Sequence, residues 1–205
     1  MTNINWIFFD VGSTLIDEKE CYNHRIKDAI EGTDITFEQF NKKRIFFAKQ
    51  NLKGDIEALK FFGLTKTPWH FEDEKPYEEV EHVLKNLYDK GYNIGIIANQ
   101  ALGTEKRLEN WVLMKYIKLV VASAEEGVAK PDKEIFLRVL SRAECLPENA
   151  VMICDRIDND IEPANKLGMK TIWVKQGFAV YQTPMNDLQT ADYSVDGLRD
   201  VLEVL

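Results

Sequence analysis

Short apolar runs alternate with amphipathic patterns from about residue 77 to the end of this sequence, and this alternation limits the possible folds most. The apolar runs are continuous, which is typical of strands buried on both faces of a parallel sheet. They lie at residues 4–9, 93–98, 118–122, 150–154 and 171–174, with a weaker run at 192–195. Helical patterns lie at residues 77–90, after Thr104 as an N-cap, at 132–143 and at 160–167. This order predicts an α/β fold with a doubly wound, mainly parallel, Rossmann-like sheet.

The segment from residue 17 to residue 76 breaks the alternation because it contains no strong strand pattern. Its helical patterns lie at residues 20–30, 37–50 and 56–62. A chain of 205 residues is long enough for one core with a small insertion and too short for two full-sized domains. We therefore expect a core formed by residues 1–16 and 77–205 and a small α-helical cap domain formed by residues 17–76.

The composition disfavours several classes of protein. The 34 acidic and 26 basic residues give a net charge of −8, which argues against general binding to nucleic acids or anionic membranes. The apolar runs are far shorter than the roughly 18 residues of a membrane span, and the first ten residues lack the basic region of a signal peptide. The three cysteines form no CxxC pattern, which is typical of free thiols in a reducing compartment. We expect a cytoplasmic protein with no nucleic-acid or membrane partner.

Polar residues follow the predicted strands. Asp10 follows the first strand, Asn99 the second, Lys130 lies in the segment after the third, and Asp155 and Asp160 follow the fourth. In an open parallel sheet, ligands bind beyond the carboxyl ends of the strands. Such a set suits a hard cation, a phosphate group or a carboxylate nucleophile. Each residue taken alone also fits a turn, a helix start or a loop, and it is their shared placement that favours a site.

The order of these motifs resembles that of the haloacid dehalogenase-like hydrolase superfamily. The resemblance spans residue 5 to about residue 173, and the helical segment lies where that family has its cap. The motifs are Asp10-Val11-Gly12-Ser13-Thr14-Leu15, a strand that ends at Asn99, Lys130-Pro131-Asp132, and Asp155 with Asp160 five residues later.

The resemblance implies a Mg²⁺ site and a nucleophile. Asp10 would form an aspartyl-phosphate intermediate and would also bind the metal. The other metal ligands would be the backbone carbonyl of Gly12, Asp155 and Asp160. Lys130 would steady the phosphate group and Asp10.

The resemblance also implies a phosphate site and two departures from the family's pattern. Thr14 and Asn99 would contact the phosphate together with Lys130. Phosphatases of the family usually carry an Asp, the general acid and base, where this sequence has Gly12, and a Ser or Thr where it has Ala98. We therefore expect weak turnover that favours aryl or acyl phosphates over alkyl phosphates, unless a cap residue such as His70 substitutes as the acid.

The leading hypothesis is a Mg²⁺-dependent hydrolase that acts on a small phosphorylated compound. Other chemistry of the same family stays open, because a haloacid dehalogenase does not need the missing Asp, and a phosphonatase needs a cap lysine instead. Lysines are available in the cap segment at Lys42, Lys43, Lys49, Lys53, Lys60 and Lys66. A ligand-binding protein of this fold without turnover is the third hypothesis.

Overall fold

Six strands form one parallel sheet in the computed structural model, which describes residues 3–205 apart from the side chain of residue 179. In chain order the strands are β1 (Trp6–Phe9), β2 (Ile16–Asp17), β3 (Lys75–Pro76), β4 (Asn93–Ala98), β5 (Leu119–Ala122), β6 (Ala150–Cys154), β7 (Lys170–Val174) and β8 (Tyr193–Val195). The sheet order is β5-β4-β1-β6-β7-β8, and every neighbouring pair is parallel. The predicted α/β fold with a Rossmann-like sheet is confirmed.

Nine α-helices lie in the described part of the chain. They are α1 (Lys19–Ile30), α2 (Phe37–Ala48), α3 (Gly54–Phe62), α4 (Val80–Asp89), α5 (Thr104–Asn110), α6 (Ser123–Glu126), α7 (Lys133–Arg142), α8 (Glu162–Leu167) and α9 (Val201–Val204). None of the helices in this part combines the length and the apolar character that crossing a membrane requires.

Two predicted helices show how local sequence sets a helix start. Asp132 caps α7, because its side chain accepts a hydrogen bond from the backbone N–H of Glu134. The prediction that Thr104 caps α5 is wrong. Gly103 holds the N-cap position, and the Thr104 hydroxyl donates to the carbonyl of Ala101 at 3.0 Å.

The core lies on both faces of the sheet. Ile7 and Phe9 of β1 pack with α4 and α9 on one face, and Phe8 packs with α7 and α8 on the other. All three side chains are fully buried. Burying each one contributes about 1.5–3 kcal/mol. Because β1 is central and apolar on both faces, its carboxyl end has a fixed place at the edge of the sheet.

The helices α1, α2 and α3 share a smaller apolar cluster that includes Ile26, Phe40 and Leu59. Residues 17–76 add no strand to the six-stranded sheet within the described part of the chain. Instead β2 and β3 form an antiparallel ribbon that pairs Ile16 with Pro76, where the chain leaves the core and returns. The division into a core of residues 1–16 and 77–205 and a cap of residues 17–76 stays a prediction, and residues 1 and 2 lie outside the described range.

Candidate active site

A cavity of about 360 Å³ lies between the carboxyl edge of the sheet and the helices α1 to α3. Asp10 reaches it because it follows β1, and its backbone N–H donates to the carbonyl of Ile153 in β6 at 3.0 Å. Asp155 follows β6, the neighbour of β1 in the sheet. Parallel neighbours end at the same edge, so these two carboxylates are brought together by the strand order itself.

The end of the cavity that borders the sheet, here called the core end, contains the ammonium group of Lys130. Its ammonium group donates to Asp10 Oδ1 at 2.6 Å, to Asp160 Oδ1 at 2.5 Å and to the carbonyl of Ile97 at 2.8 Å. Burial acts to lower the pKa of Lys130, but the charges and hydrogen bonds of Asp10 and Asp160 outweigh it and hold this pKa above its ordinary value. The lysine is therefore a fixed positive charge beside Asp10.

Three buried carboxylates cluster at this edge, and two of them, Asp10 and Asp160, contact the ammonium group of Lys130. Asp10, Asp155 and Asp160 each offer an oxygen within 4.8 Å of the others. Burial, followed by the charge of Asp10, raises the pKa of Asp155 well above its ordinary value, and burial also raises that of Asp160. The Oδ1 atom of Asp155 is buried and has no hydrogen-bond partner in the described structure. Clustered hard oxygen donors, one of them unsatisfied, fit a Mg²⁺ ion.

Asn99 and Thr14 lie beside this cluster and orient its members. The Asn99 side chain donates to the backbone carbonyl of Lys130 at 2.8 Å and accepts from its backbone N–H at 2.7 Å. The Thr14 hydroxyl donates to Asp10 Oδ2 at 3.5 Å, a long contact. The side-chain amide of Asn99 thus has partners already, and a phosphate contact of either residue stays a prediction.

Glu18 is the site residue that the sequence patterns did not indicate. It directly precedes α1, lines the same cavity as Asp10, and is only 8% exposed. Ser13 Oγ donates to its Oε2 at 3.1 Å. Burial and the charge of Asp10 raise the pKa of Glu18 to about 8. The available signal was an acidic residue next to Asp17, where the predicted cap begins, and it resembled an ordinary helix start.

The opposite end of the cavity, lined by α1 to α3 and here called the cap end, contains two buried arginines, Arg25 and Arg44. Arg44 is 4% exposed, and its guanidinium lies 3.3 Å from the ring centre of Phe178 and 4.2 Å from that of Tyr22. Arg25 lies 5.2 Å from the ring centre of Trp69. Burial lowers the pKa of Arg44 to about 10.

Arg25 and Arg44 are the buried arginines of the described chain, and neither forms an ion pair. The ion pairs of arginines within residues 3–205 belong to Arg107, Arg138, Arg142 and Arg156. Arg25 and Arg44 belong to none of them, and Nε of Arg44 is buried without a hydrogen-bond partner. The charge of Asp55 offsets that of Arg44 in part, but a buried cation without a direct ion pair is costly unless a ligand supplies one.

His70, the possible substitute acid, lies elsewhere. Its Nε2 contacts Asp28 at 2.7 Å and its Nδ1 contacts Glu72 at 3.1 Å, and its ring stacks on that of His24. Within the described residues, the set that lines the cavity does not include His70.

Comparison with known proteins identifies the family. The family model described as haloacid dehalogenase-like hydrolase matches residues 7–174. This chain therefore belongs to the haloacid dehalogenase-like hydrolase family, and it is a hydrolase of that family.

The chain is similar to archaeal enzymes named glyceraldehyde 3-phosphate phosphatase. It is 30% identical to the one from Pyrococcus furiosus over 242 residues, covering 100% of this chain and 94% of that one. It is 33% identical to the one from Methanopyrus kandleri over 132 residues, which covers 64% of this chain and only 57% of that one.

Two solved structures share the fold at low sequence identity. A HAD phosphatase from Thermococcus onnurineus has a TM-score of 0.67 at 20% identity, covering 98% of this chain and 97% of that one. A 2-haloacid dehalogenase from Pseudomonas syringae has a TM-score of 0.64 at 20% identity, with the same coverage. One fold hosts both chemistries, so the reaction has to be argued from the site.

Proposed function

We propose that this protein is a Mg²⁺-dependent phosphatase that hydrolyses a small phosphorylated compound through an aspartyl-phosphate on Asp10. The observation that carries the proposal is the position of Asp10, which faces the cavity between a fixed ammonium group and two further buried carboxylates. The relatives named as phosphatases support the substrate class.

The carboxylates of Asp10, Asp155 and Asp160 and the backbone carbonyl of Gly12 would hold Mg²⁺. A bound Mg²⁺ ion would offset the charge of the carboxylates and of the phosphate group. The three carboxylates outnumber Lys130, and the nearby Arg156 is already paired with Asp158. The remaining excess of negative charge would otherwise repel a phosphate dianion. The same excess counts against the alternative of a dehalogenase, which works without a metal in this family.

Asp10 acts as the nucleophile toward phosphorus. One of its oxygens is held by Lys130, and the other has only the long contact with Thr14, so the side chain is oriented before the substrate arrives. Lys130 then lies beside both Asp10 and the transferred phosphoryl group, and it steadies the charge on them. We assign phosphate contacts to Lys130, to Thr14 and to the backbone N–H of Asn99, because the Asn99 side chain is engaged by Lys130.

The cap end of the cavity indicates the substrate class more closely. Arg25 and Arg44 line the cavity and lack carboxylate partners, and arginine binds carboxylate and phosphate groups in bidentate fashion. A substrate with a second anionic group, either a carboxylate or a second phosphate, would balance them. We therefore propose a phosphate monoester that carries such a group.

A screen of phosphate esters with Mg²⁺ and with EDTA tests this function. We expect turnover with Mg²⁺, its loss with EDTA, and its loss in Asp10→Asn. Asp17→Asn is the matched control, because Asp17 lies in β2 and not among the described residues that line the cavity. Turnover that survives both EDTA and Asp10→Asn would contradict the proposal.

A further inference from the structure

The space beside Gly12 is filled by the carboxylate of Glu18. A Cβ atom built on Gly12 would lie 2.6 Å from Oε1 and 2.8 Å from Oε2 of Glu18. No side chain fits at position 12 while Glu18 keeps this position. The glycine is thus explained by close approach, and the carboxylate beside it comes from a residue six positions later in the chain.

Local structure directs the Glu18 side chain into the cavity. Glu18 occupies the N-cap position of α1, but its side chain makes no capping hydrogen bond. The neighbouring Asp17 accepts the backbone N–H of Lys19 instead. The ribbon of β2 and β3 ends just before Glu18, and Ser13 Oγ holds its carboxylate at 3.1 Å. An acidic residue at a helix start usually serves that helix, whereas this one serves the cavity.

We infer that Glu18 is the general acid and base of the reaction and replaces the side chain that position 12 lacks. This inference rests on the proposed function. It follows from three facts of geometry: Glu18 fills the space beside Gly12, two residues after the nucleophile; it lines the same cavity as Asp10; and its own helix does not engage it.

The proton then has a defined path in both half-reactions. In the first, an Asp10 oxygen bonds to phosphorus, the ester P–O bond breaks, and the leaving oxygen takes that electron pair together with the proton of the Glu18 carboxyl group. In the second, water attacks the phosphorus of the aspartyl-phosphate and gives a proton to the Glu18 carboxylate. The bond between phosphorus and the Asp10 oxygen breaks, which restores the Asp10 carboxylate and releases phosphate.

Glu74 provides a matched comparison for this role. It is also 8% exposed and lies near Glu18 in the structure. Its carboxylate, however, accepts from Trp69 Nε1 at 2.7 Å and pairs with Arg107 at 3.4 Å, and it is not among the described residues that line the cavity. Glu74→Gln therefore makes the same chemical change in an equally buried carboxylate outside the site.

The test compares alkyl and aryl phosphates in Glu18→Gln. A positioned acid typically supplies roughly 10²–10⁴ in rate. We expect kcat/KM to fall by about that factor for an alkyl phosphate and to change less than about threefold for 4-nitrophenyl phosphate, because nitrophenolate leaves without a proton. For the aryl ester, slow hydrolysis of the aspartyl-phosphate should appear as a burst of one nitrophenolate per enzyme.

A second pair of variants moves the carboxylate. Glu18→Ala opens the space, and adding Gly12→Asp to it places a carboxylate at position 12 instead. For the alkyl phosphate, we expect kcat/KM of the double variant to be at least about tenfold higher than that of Glu18→Ala. In the wild-type background, Gly12→Asp should help less, because its Cβ would lie 2.6 Å from the Glu18 carboxylate, which would have to move aside.

The outcomes separate this inference from the proposed function. An alkyl-selective loss in Glu18→Gln, with an unchanged alkyl-to-aryl ratio in Glu74→Gln, supports the role of Glu18. An equal loss for both esters, or no recovery in the folded double variant, overturns it while Asp10-dependent turnover still supports the phosphatase. If the wild-type protein hydrolyses neither ester with Mg²⁺, the proposed function fails and the role of Glu18 fails with it.

Discussion

The two ends of the cavity have opposite charge imbalances. At the core end, three buried carboxylates cluster beside Lys130, which contacts two of them, and the nearby Arg156 is already paired with Asp158. At the cap end, the buried guanidinium groups of Arg25 and Arg44 have aromatic neighbours and no ion pair within the described chain. We propose that each end takes a ligand, a cation at the core end and an anion at the cap end.

The two ends also differ in how their side chains are held. Strand order and hydrogen bonds to Lys130 fix the carboxylates of the core end. Ring faces hold the arginines of the cap end, which leaves guanidinium donors free for a ligand. We therefore expect substitutions at the core end to affect stability and all substrates, and substitutions at the cap end to affect only substrates with a second anionic group.

Lys130→Met should have the largest effect, because it leaves Asp10 and Asp160 buried without their shared cation. Breaking a buried pair in this way costs about 3–5 kcal/mol in the free energy of unfolding. Urea denaturation measures this loss, and turnover should disappear as well. Lys106→Met is the control, because Lys106 pairs with Glu109 at 2.6 Å on the surface, where such a pair is worth about 0–1 kcal/mol. Equal losses in the free energy of unfolding of Lys130→Met and Lys106→Met would contradict the structural role given to Lys130.

Arg44→Met should have an intermediate and selective effect. A charged hydrogen bond contributes about 1.5–3 kcal/mol, so kcat/KM for a carboxylate-bearing phosphate ester should fall roughly 10- to 150-fold. The matching ester with a hydroxyl in place of the carboxylate should be affected little. Lys43→Met is the control, because Lys43 is the neighbour of Arg44 on α2 but lies over the rings of Phe46 and Phe61. An equal loss for both esters in Arg44→Met would show that Arg44 serves the fold instead of the substrate.

Asp155→Asn should have the smallest effect, and a favourable one. It replaces a buried carboxyl group whose Oδ1 has no partner among the described residues and whose charged form is disfavoured by burial. A gain of about 1 kcal/mol raises Tm by roughly 2–4 °C in a chain of this size. We expect that rise in EDTA, together with loss of the stabilisation that Mg²⁺ gives the wild-type protein. Thermal melts with and without Mg²⁺ measure both, with Asp17→Asn as the control. A Tm of Asp155→Asn below that of the wild-type protein in EDTA, together with a retained response to Mg²⁺, would contradict this prediction.

Patterns that depend on local sequence predicted most of the fold and of the core end. Continuous apolar runs predicted the strands, and β4 and β6 have the predicted ends. Strand ends in a parallel sheet meet at one edge, so the proximity of Asp10, Asp155 and Asp160 was predictable. The predicted helix at 160–167 is shorter in the structure, because Ile157–Ile161 forms a π-helical turn before α8 begins at Glu162.

Features that depend on close approach in three dimensions were not predictable. The glycine at position 12 suggested a missing acid, because nothing in the sequence shows that Glu18 returns to the same space. Arg44 looked like any other cation of a helical segment, and its burial depends on Phe178, which lies 134 residues away in the sequence. The cap end of the cavity is built from such contacts, whereas the core end is built from strand ends.

The most direct test of the account is to find the phosphoryl group on Asp10. The protein is mixed with 4-nitrophenyl phosphate and Mg²⁺, quenched in acid within one turnover, and digested for peptide mass spectrometry. We expect one phosphoryl group on the peptide that contains Asp10, more of it in Glu18→Gln, and none in Asp10→Asn. Turnover without any phosphoryl group on Asp10, or with the group on another residue, would contradict it.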